Sequence, residues 1–138
     1  MTPRRGDRRL DFEKLRRSIE RCDPDAVLGF YADEARLVIT NAGVARARFE
    51  LRGRAEISKH LRAVLGQKAS HRVGRELVGE ERVEFREVCE YPDGGRVVVE
   101  TRIEVRDGRI FNQEDVVVRE PVTECRIDPE ETEKESLG

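Results

Sequence analysis

Four consecutive polar residues at positions 112–115, Asn-Gln-Glu-Asp, interrupt a segment whose flanking residues are Ile, Phe and Val. Such flanks are typical of a β-strand. A carboxylate in the middle of a strand must face water or have a function, because burying it without a partner is costly. Glu114 and Asp115 are therefore the first candidates for acid–base chemistry.

The direction of these two side chains depends on the turn before them. Asp107-Gly108 predicts a two-residue hairpin that pairs Val105 with Ile110. This register places Glu114 on the face of Val105 and turns Asp115 to the other face. One β-bulge would reverse the assignment, and bulges are common beside active sites. The residues alone leave both alternatives open.

A further carboxylate, Glu87, falls on the apolar face of the segment 82–91. That face is defined by alternating apolar residues, Val83, Phe85, Cys89 and Tyr91. Glu87 needs a partner or an aqueous pocket there, unless the end of the strand is solvated. Arg82 and Glu84 fall on the opposite face, which we expect to meet solvent or a second subunit.

Other catalytic chemistries have little support. The cysteines Cys22, Cys89 and Cys125 are far apart and form no Cys-x-x-Cys pair, and the only histidines are His60 and His71. We therefore predict no metal site and no disulfide framework, with His71 on the surface. The sequence also contains no phosphate-binding loop or dinucleotide fingerprint, so we expect no cofactor.

Composition restricts the class of protein. The chain has 138 residues, which suits one domain, and 41% of them are charged with a formal net charge of −2. This balance gives no electrostatic case for nucleic acid. No apolar run approaches the length of a membrane span, and we expect a cytoplasmic protein in a reducing compartment.

Periodicity predicts three helices and six strands. Helices are expected over 10–22, over 24–31 after the Asp23-Pro24 start signal, and from 54 to the C-cap Gly66. The predicted strands are 35–40, 44–52, 70–79, 82–91, 96–106 and 109–119, and the last three should form an antiparallel meander. The fold class is α+β, a cone-like, curved, mostly antiparallel sheet closed by three helices. We expect a flexible basic segment at 1–9, a domain at 10–120 and a disordered acidic tail at 121–138.

Three motifs carry a family resemblance that spans about residues 15–118. They are the segment Cys-Asp-Pro-Asp-Ala-Val-Leu-Gly-Phe-Tyr-Ala-Asp-Glu-Ala at 22–35, Leu-Arg-Gly-Arg-Ala-Glu-Ile at 51–57, and Asp-Gly-Arg-Ile at 107–110. With the order of elements, they resemble the nuclear-transport-factor-two-like superfamily. This superfamily includes SnoaL-like polyketide cyclases, ketosteroid isomerases and limonene-epoxide-hydrolase-type enzymes, so fold alone does not give the activity.

The resemblance implies roles at individual positions. Leu15 and Ile39 stand where the ketosteroid isomerases have their oxyanion Tyr and general base, which argues against that mechanism. The cyclase and epoxide hydrolase patterns place a catalytic Asp at Asp115, and this favours Asp115 over Glu114. Asn41 matches the water-holding Asn of the epoxide hydrolases, whereas Arg-Val-Glu at 82–84 replaces their Arg-x-Asp.

The resemblance therefore implies a small-molecule-binding protein with an apolar pocket and a last-strand carboxylate. As an enzyme it would be a cofactor-free cyclase, isomerase or epoxide hydrolase with Asp115 as acid or base. Polar pocket groups would be Asn41, Gln113, Glu114, Glu87 and Tyr31. Apolar walls would come from Leu15, Phe30, Ile57, Leu61, Val97, Val99 and Val117. The alternative is a non-catalytic module of the same fold. In either case we expect a homodimer and a small apolar ligand, with no nucleic acid or membrane partner.

Overall fold

The computed structural model describes residues 9–42 and 47–120. The chain forms three helices and six strands in the predicted order. The helices are α1 (Phe12–Glu20), α2 (Pro24–Leu28) and α3 (Gly53–Leu65). The strands are β1 (Tyr31–Asn41), β2 (Arg48–Arg52), β3 (Ser70–Val78), β4 (Arg82–Glu90), β5 (Arg96–Arg106) and β6 (Arg109–Glu120).

Side-chain caps begin the first two helices. The Asp11 carboxylate accepts a hydrogen bond from the Lys14 backbone N–H at 3.1 Å and starts α1. Asp23 does the same for Ala26 at 3.1 Å, and Pro24 occupies the first turn of α2, where it gives up no hydrogen bond. Gly66 follows the last residue of α3, as predicted.

The boundary between α2 and β1 differs from the prediction. The helix was expected to reach residue 31, but it ends at Leu28, and the strand begins at Tyr31 rather than at 35. The reason is tertiary pairing. Tyr31 lies opposite Ile110 of β6, and the Phe30 carbonyl accepts a hydrogen bond from the Ile110 N–H at 2.8 Å. This pairing overrides the local helical preference.

All six strands form one sheet in the order β2-β1-β6-β5-β4-β3. The β1–β6 pair is parallel and every other neighbouring pair is antiparallel. The predicted α+β fold and the antiparallel meander of the last three strands are confirmed. The meander also includes β3.

The helices pack against one face of the sheet and close a single core. Leu15 of α1 and Ile57 of α3 are almost fully buried, and Phe12 packs on Phe85 of β4 with ring centroids 5.7 Å apart. Burial of a large aliphatic side chain contributes about 1.5–3 kcal/mol relative to exposure. The cone is therefore held together chiefly by apolar contacts between the helices and the inner sheet face.

A β-bulge near the last turn sets the register of β6. Asp107 and Gly108 both have positive φ (55° and 77°), as a type I′ hairpin requires. Val105 pairs with Ile110 as predicted, but Glu104 then pairs with Asn112, so Phe111 is an extra residue on β6. Beyond this bulge Thr101 lies opposite Asp115. Asp115 therefore shares the inner face with Thr101.

Several predictions fall at the ends of the domain. The acidic tail 121–138 and residues 1–8 lie outside the described residues, so their predicted disorder and the domain boundaries remain predictions. Arg9 is described, and its guanidinium is 3.4 Å from the Glu80 carboxylate. Within the described ranges, none of the helices has the length and apolar character needed to cross a bilayer. The cytoplasmic location remains a prediction.

Candidate functional site

A cavity lies between the helices and the inner face of the sheet. Its wide outer part has a volume of about 740 Å³, and its narrow inner part has about 60 Å³. Both parts share four lining residues, His60, Val64, Glu87 and Asp115. Two carboxyl groups and an imidazole thus lie at the junction of the two parts.

Most of the remaining wall is apolar. The inner part is bounded chiefly by Leu15, Ile19, Leu37, Leu61, Phe85 and Ile110. The outer part is bounded by residues of four strands and the turn between β4 and β5, including Ile39, Tyr91, Val97, Val99 and Val117. An apolar wall with a few convergent polar groups is typical of a small-molecule site.

The Asp115 carboxylate is held by two donors. Its Oδ1 accepts hydrogen bonds from the Gln113 side-chain amide at 2.9 Å and from the Thr101 hydroxyl at 3.1 Å. The Oε1 of Gln113 in turn accepts a hydrogen bond from the Tyr31 hydroxyl at 2.7 Å. Three strands, β1, β5 and β6, therefore fix the position of one carboxyl group.

Burial dominates the protonation of this carboxyl group. Removal from water raises the pKa of Asp115 to about 7, and the nearby charge of Glu87 acts in the same direction. The hydrogen bonds from Gln113 and Thr101 oppose this rise because they stabilise the carboxylate. A group with a pKa near neutral pH is both an available base and an available acid. Burial also raises the pKa of Tyr31, which keeps its hydroxyl proton for donation.

Glu87 lies on the inner face and is held by His71 of β3. Its Oε2 is 2.6 Å from His71 Nδ1 and 3.5 Å from Cys89 Sγ, and Cys89 Sγ is 3.3 Å from the same His71 nitrogen. The prediction that His71 is a surface residue was wrong, since only 3% of it is exposed. Inward packing on β3 overrode the general tendency of histidine towards the surface.

His60 is the second imidazole near Glu87. It lies on α3 and lines both parts of the cavity. Burial lowers the pKa of His60, and the charge of Glu87 partly offsets this effect.

The structure brings together most of the residues selected from sequence. Those that line the cavity are Asp115, Gln113, Glu87, Tyr31, Leu15, Leu61, Val97, Val99 and Val117. Glu114 is exposed on the opposite face, opposite Arg102. Arg82 and Glu84 lie with it in a groove on that outer face.

Three other selected residues lie away from the cavity wall. Ile57 is fully buried in the core, and Phe30 packs against the same core beside the start of β1. Asn41 is at the end of β1, where it pairs with Val117, and it does not belong to the described lining. The expected water-holding role of Asn41 therefore has no support in the cavity geometry.

Sequence reasoning missed His60, Val64 and Thr101 as lining residues. A signal existed for the first two, because His60 and Val64 share the helical spacing of Ile57 and Leu61. Thr101 alternates with Val99 and Ile103 on β5, which also placed it inward. His71 alternates with Val73 on β3, which is a local signal of the same kind for its burial.

The family is settled by a comparison of the whole domain. A family model described as the SnoaL-like domain matches residues 12–113, which is most of the chain. The chain belongs to the SnoaL-like family. This SnoaL-like protein has no significant match among curated proteins.

Solved structures of the same fold are numerous. A nuclear-transport-factor-two-like protein of unknown function from Burkholderia xenovorans superposes with a TM-score of 0.65 at 15% identity, covering 92% of each chain. A second protein of this type and of unknown function, from Mesorhizobium loti, superposes with a TM-score of 0.63 at 25% identity. The match covers 77% of this chain and 86% of the other. The epoxide hydrolase/cyclase-like enzyme SalBIII, which has a role in pyran ring formation in the polyether salinomycin, superposes with a TM-score of 0.58 at 16% identity. The match covers 77% of this chain and 86% of the enzyme. These likenesses establish the fold of the SnoaL-like protein.

Proposed function

We propose that this SnoaL-like protein binds a small, largely apolar molecule in the cavity and transfers a proton to or from it through Asp115. The observation that carries the proposal is the position of the Asp115 carboxyl group. It lies at the junction of the two cavity parts, held by Gln113 and Thr101, with a pKa of about 7.

The ligand class follows from the walls. Aliphatic side chains of β1, β5 and β6 line the outer cavity together with the polar Gln67, Asp93 and Arg96, and its volume of about 740 Å³ is in the range of small-molecule sites. At the junction with the inner part, Asp115 and Glu87 supply two further polar groups. A ligand with an apolar skeleton and one polar group, such as a ketone, epoxide or hydroxyl, would match this division.

Proton transfer is the reaction that Asp115 supports best. As a carboxylate it would accept a proton from carbon or from water, and as a carboxylic acid it would protonate an oxygen of the ligand. The likeness to an epoxide hydrolase/cyclase-like enzyme agrees with acid–base chemistry in a cavity of this fold. Leu15 and Ile39 line the cavity at the positions where the isomerase pattern has its oxyanion Tyr and its general base, so Asp115 would act without either of those groups.

A model substrate tests the proposal directly. Nitrobenzisoxazole is neutral and flat, and it opens when a base removes its ring proton and the electron pair breaks the N–O bond, giving a coloured cyanophenolate. We expect a rate that rises with pH with a midpoint near 7, and an Asp115→Asn variant slower by about 100-fold.

The matched control is Glu114→Gln, which removes the neighbouring carboxylate on the outer face. It should leave the rate unchanged. Equal rates for wild type and Asp115→Asn would refute proton transfer by Asp115. Binding of the neutral fluorophore N-phenylnaphthylamine without any Asp115-dependent turnover would support the alternative, a non-catalytic ligand-binding or adaptor module.

We also infer that the outer sheet face joins two copies of the chain. Val116 and Val118 of β6 are 39% and 43% exposed on this face. Beside them Arg86 pairs with Glu100 across β4 and β5 at 2.7 Å, and such alternating charges can complement a second copy of themselves. A Val116→Lys, Val118→Lys double variant should sediment as a monomer if the wild type is a dimer. A monomeric wild type at micromolar concentration would remove this inference.

A further inference from the structure

A cluster of three potential metal ligands lies at the side of the cavity, and none of the three gives or takes the proton in the proposed transfer. His71 of β3 and Cys89 of β4 are direct cross-strand neighbours, and Glu87 is two residues before Cys89 on the same face. The potential ligand atoms of the three residues all lie within 4.8 Å of one another. Adjacent strands hold the cluster, so its geometry is fixed by the sheet rather than by a loop.

We propose that His71, Glu87 and Cys89 form a binding site for Zn²⁺ or a similar divalent transition metal. Imidazole nitrogen, carboxylate oxygen and thiolate sulfur are the three donor types that zinc takes from proteins. Three protein ligands leave one position of a tetrahedron for a fourth ligand. Glu87 and Cys89 both line the outer cavity, so this position would face the space where a small molecule fits.

Two of the three distances between the donor atoms match those of a tetrahedral zinc site, and the third is shorter. Zinc bond lengths predict about 3.4–3.6 Å between neighbouring donor atoms of a tetrahedral site. Cys89 Sγ is 3.3 Å from His71 Nδ1 and 3.5 Å from Glu87 Oε2. The remaining contact, His71 Nδ1 to Glu87 Oε2, is 2.6 Å, as for a direct hydrogen bond. Metal binding would release the thiol proton of Cys89 and the proton shared by His71 and Glu87 to solvent, and it would rotate the Glu87 carboxylate outward into the cavity.

The same geometry argues against a nucleophilic cysteine triad. In such a triad the histidine lies between its partners, with the nucleophile at one ring nitrogen and the acid at the other. Here the thiol and the carboxylate both approach Nδ1 of His71. Nε2 of His71 is buried and has no hydrogen-bond partner among the described atoms. The three donor atoms lie close enough together for one cation to contact all of them.

The charge balance around the cluster favours a cation as well. Glu87 and Asp115 place two carboxyl groups at the junction of the two parts of the cavity. Among the described lining residues Arg96 is the only arginine or lysine, and it belongs to the outer part. A divalent ion bound to Glu87 would offset part of this negative charge.

Cobalt titration of the metal-free protein tests the site. The protein is freed of metal with a chelator and titrated with Co²⁺, whose bond to a thiolate gives a charge-transfer absorption in the near ultraviolet. We expect one equivalent of Co²⁺ to produce this band and Zn²⁺ to displace it. A wild type without the band would refute the proposal.

Variants identify the ligands. The chain has three cysteines, so a Cys22→Ser, Cys125→Ser double variant keeps Cys89 as its only thiol. This variant should retain the band, and zinc X-ray absorption should find one sulfur at about 2.3 Å. Absence of sulfur from the shell would also overturn the proposal. In the same background Glu87→Gln should weaken Zn²⁺ binding at least tenfold, and an unchanged affinity would exclude Glu87 as a ligand.

The test is independent of the proposed catalytic role. It needs no small molecule and no intact Asp115. An Asp115→Asn variant should bind Co²⁺ with the same spectrum as the wild type. Circular dichroism of each variant separates loss of a ligand from loss of the fold.

Discussion

The side-chain amide of Gln113 donates a hydrogen bond to the Asp115 carboxylate at 2.9 Å from two residues earlier on the same face of β6. The Tyr31 hydroxyl occupies the other end of that amide, which turns the NH₂ group towards Asp115. Burial raises the pKa of Asp115, and of the two hydrogen bonds that oppose this rise, the one from Gln113 has the larger effect.

Replacing Gln113 should raise the pKa of Asp115. A Gln113→Leu variant removes a hydrogen bond to the carboxylate, and such bonds to charged groups contribute about 1.5–3 kcal/mol. We expect the pKa to move from about 7 to about 8 or above. Carbon NMR of the Asp115 carboxyl group measures it directly. Glu114→Gln on the outer face is the control, and a pKa that falls in Gln113→Leu would contradict the network.

Ionisation of Asp115 should lower the free energy of unfolding as the pH rises from about 4 to about 7. The Asp115 pKa is raised from 3.8 to about 7, so the folded protein holds a proton that the unfolded chain has already released. Folding is therefore favoured most below the unfolded pKa, and this contribution is lost as pH approaches the folded value. The loss is on the order of 2–4 kcal/mol.

Asp115→Asn isolates that contribution. The variant cannot ionise at this position, so the difference in unfolding free energy between variant and wild type should grow in the variant's favour between pH 4 and pH 8. Urea unfolding at several pH values gives the difference, in which the other titrating groups largely cancel. A constant difference across this range would show that Asp115 ionises freely in the folded state.

Filling part of the outer cavity should weaken ligand binding while the protein still folds. Val117 lines the cavity, whereas its neighbour Val118 is on the outer face and 43% exposed. Val117→Phe should weaken binding of N-phenylnaphthylamine by about tenfold, because the ring takes up part of the space and overpacks the rest. Val118→Phe is the matched control. Equal effects of the two substitutions on the fluorescence titration would place the ligand elsewhere.

Removing the charge of Glu87 should lower two pKa values together. Its negative charge raises the pKa of Asp115, in the same direction as burial. It also raises the pKa of His60, where burial acts in the opposite direction. In a Glu87→Gln variant kept free of metal, both values should fall, as proton and carbon NMR titrations would show. Glu100→Gln on the outer face provides the control. A fall at one site alone would mean that Glu87 does not act on the other.

The order of the elements could be predicted because local signals agreed with the tertiary structure. Asp23-Pro24 began a helix, Gly66 followed one, and Asp107-Gly108 formed the expected hairpin turn. Alternation on β4 placed Glu87 on the inner face before any contact was known. These features depend on neighbours in sequence, which is where pattern arguments are strongest.

The rest depended on contacts distant in sequence. The bulge at Phe111 decides between Glu114 and Asp115, yet no residue type marks it, since Phe111 is an ordinary strand residue. Tyr31 was assigned to a helix because its pairing with Ile110 is far away along the chain. His71 was placed on the surface for the same reason: its partners, Glu87 and Cys89, belong to the next strand.

The position of β6 between β1 and β5 has a consequence for how the protein is made. Until β6 is in place, β1 and β5 each present a row of unpaired backbone groups, and β1 lacks the neighbour that covers it. Such open edges pair readily with other chains, so partly folded forms are prone to aggregate. Because β1 and β6 are far apart in sequence, that exposure lasts until most of the domain has been synthesised. Substitutions that slow the docking of β6 should therefore lower the yield of soluble protein more than they lower the free energy of unfolding.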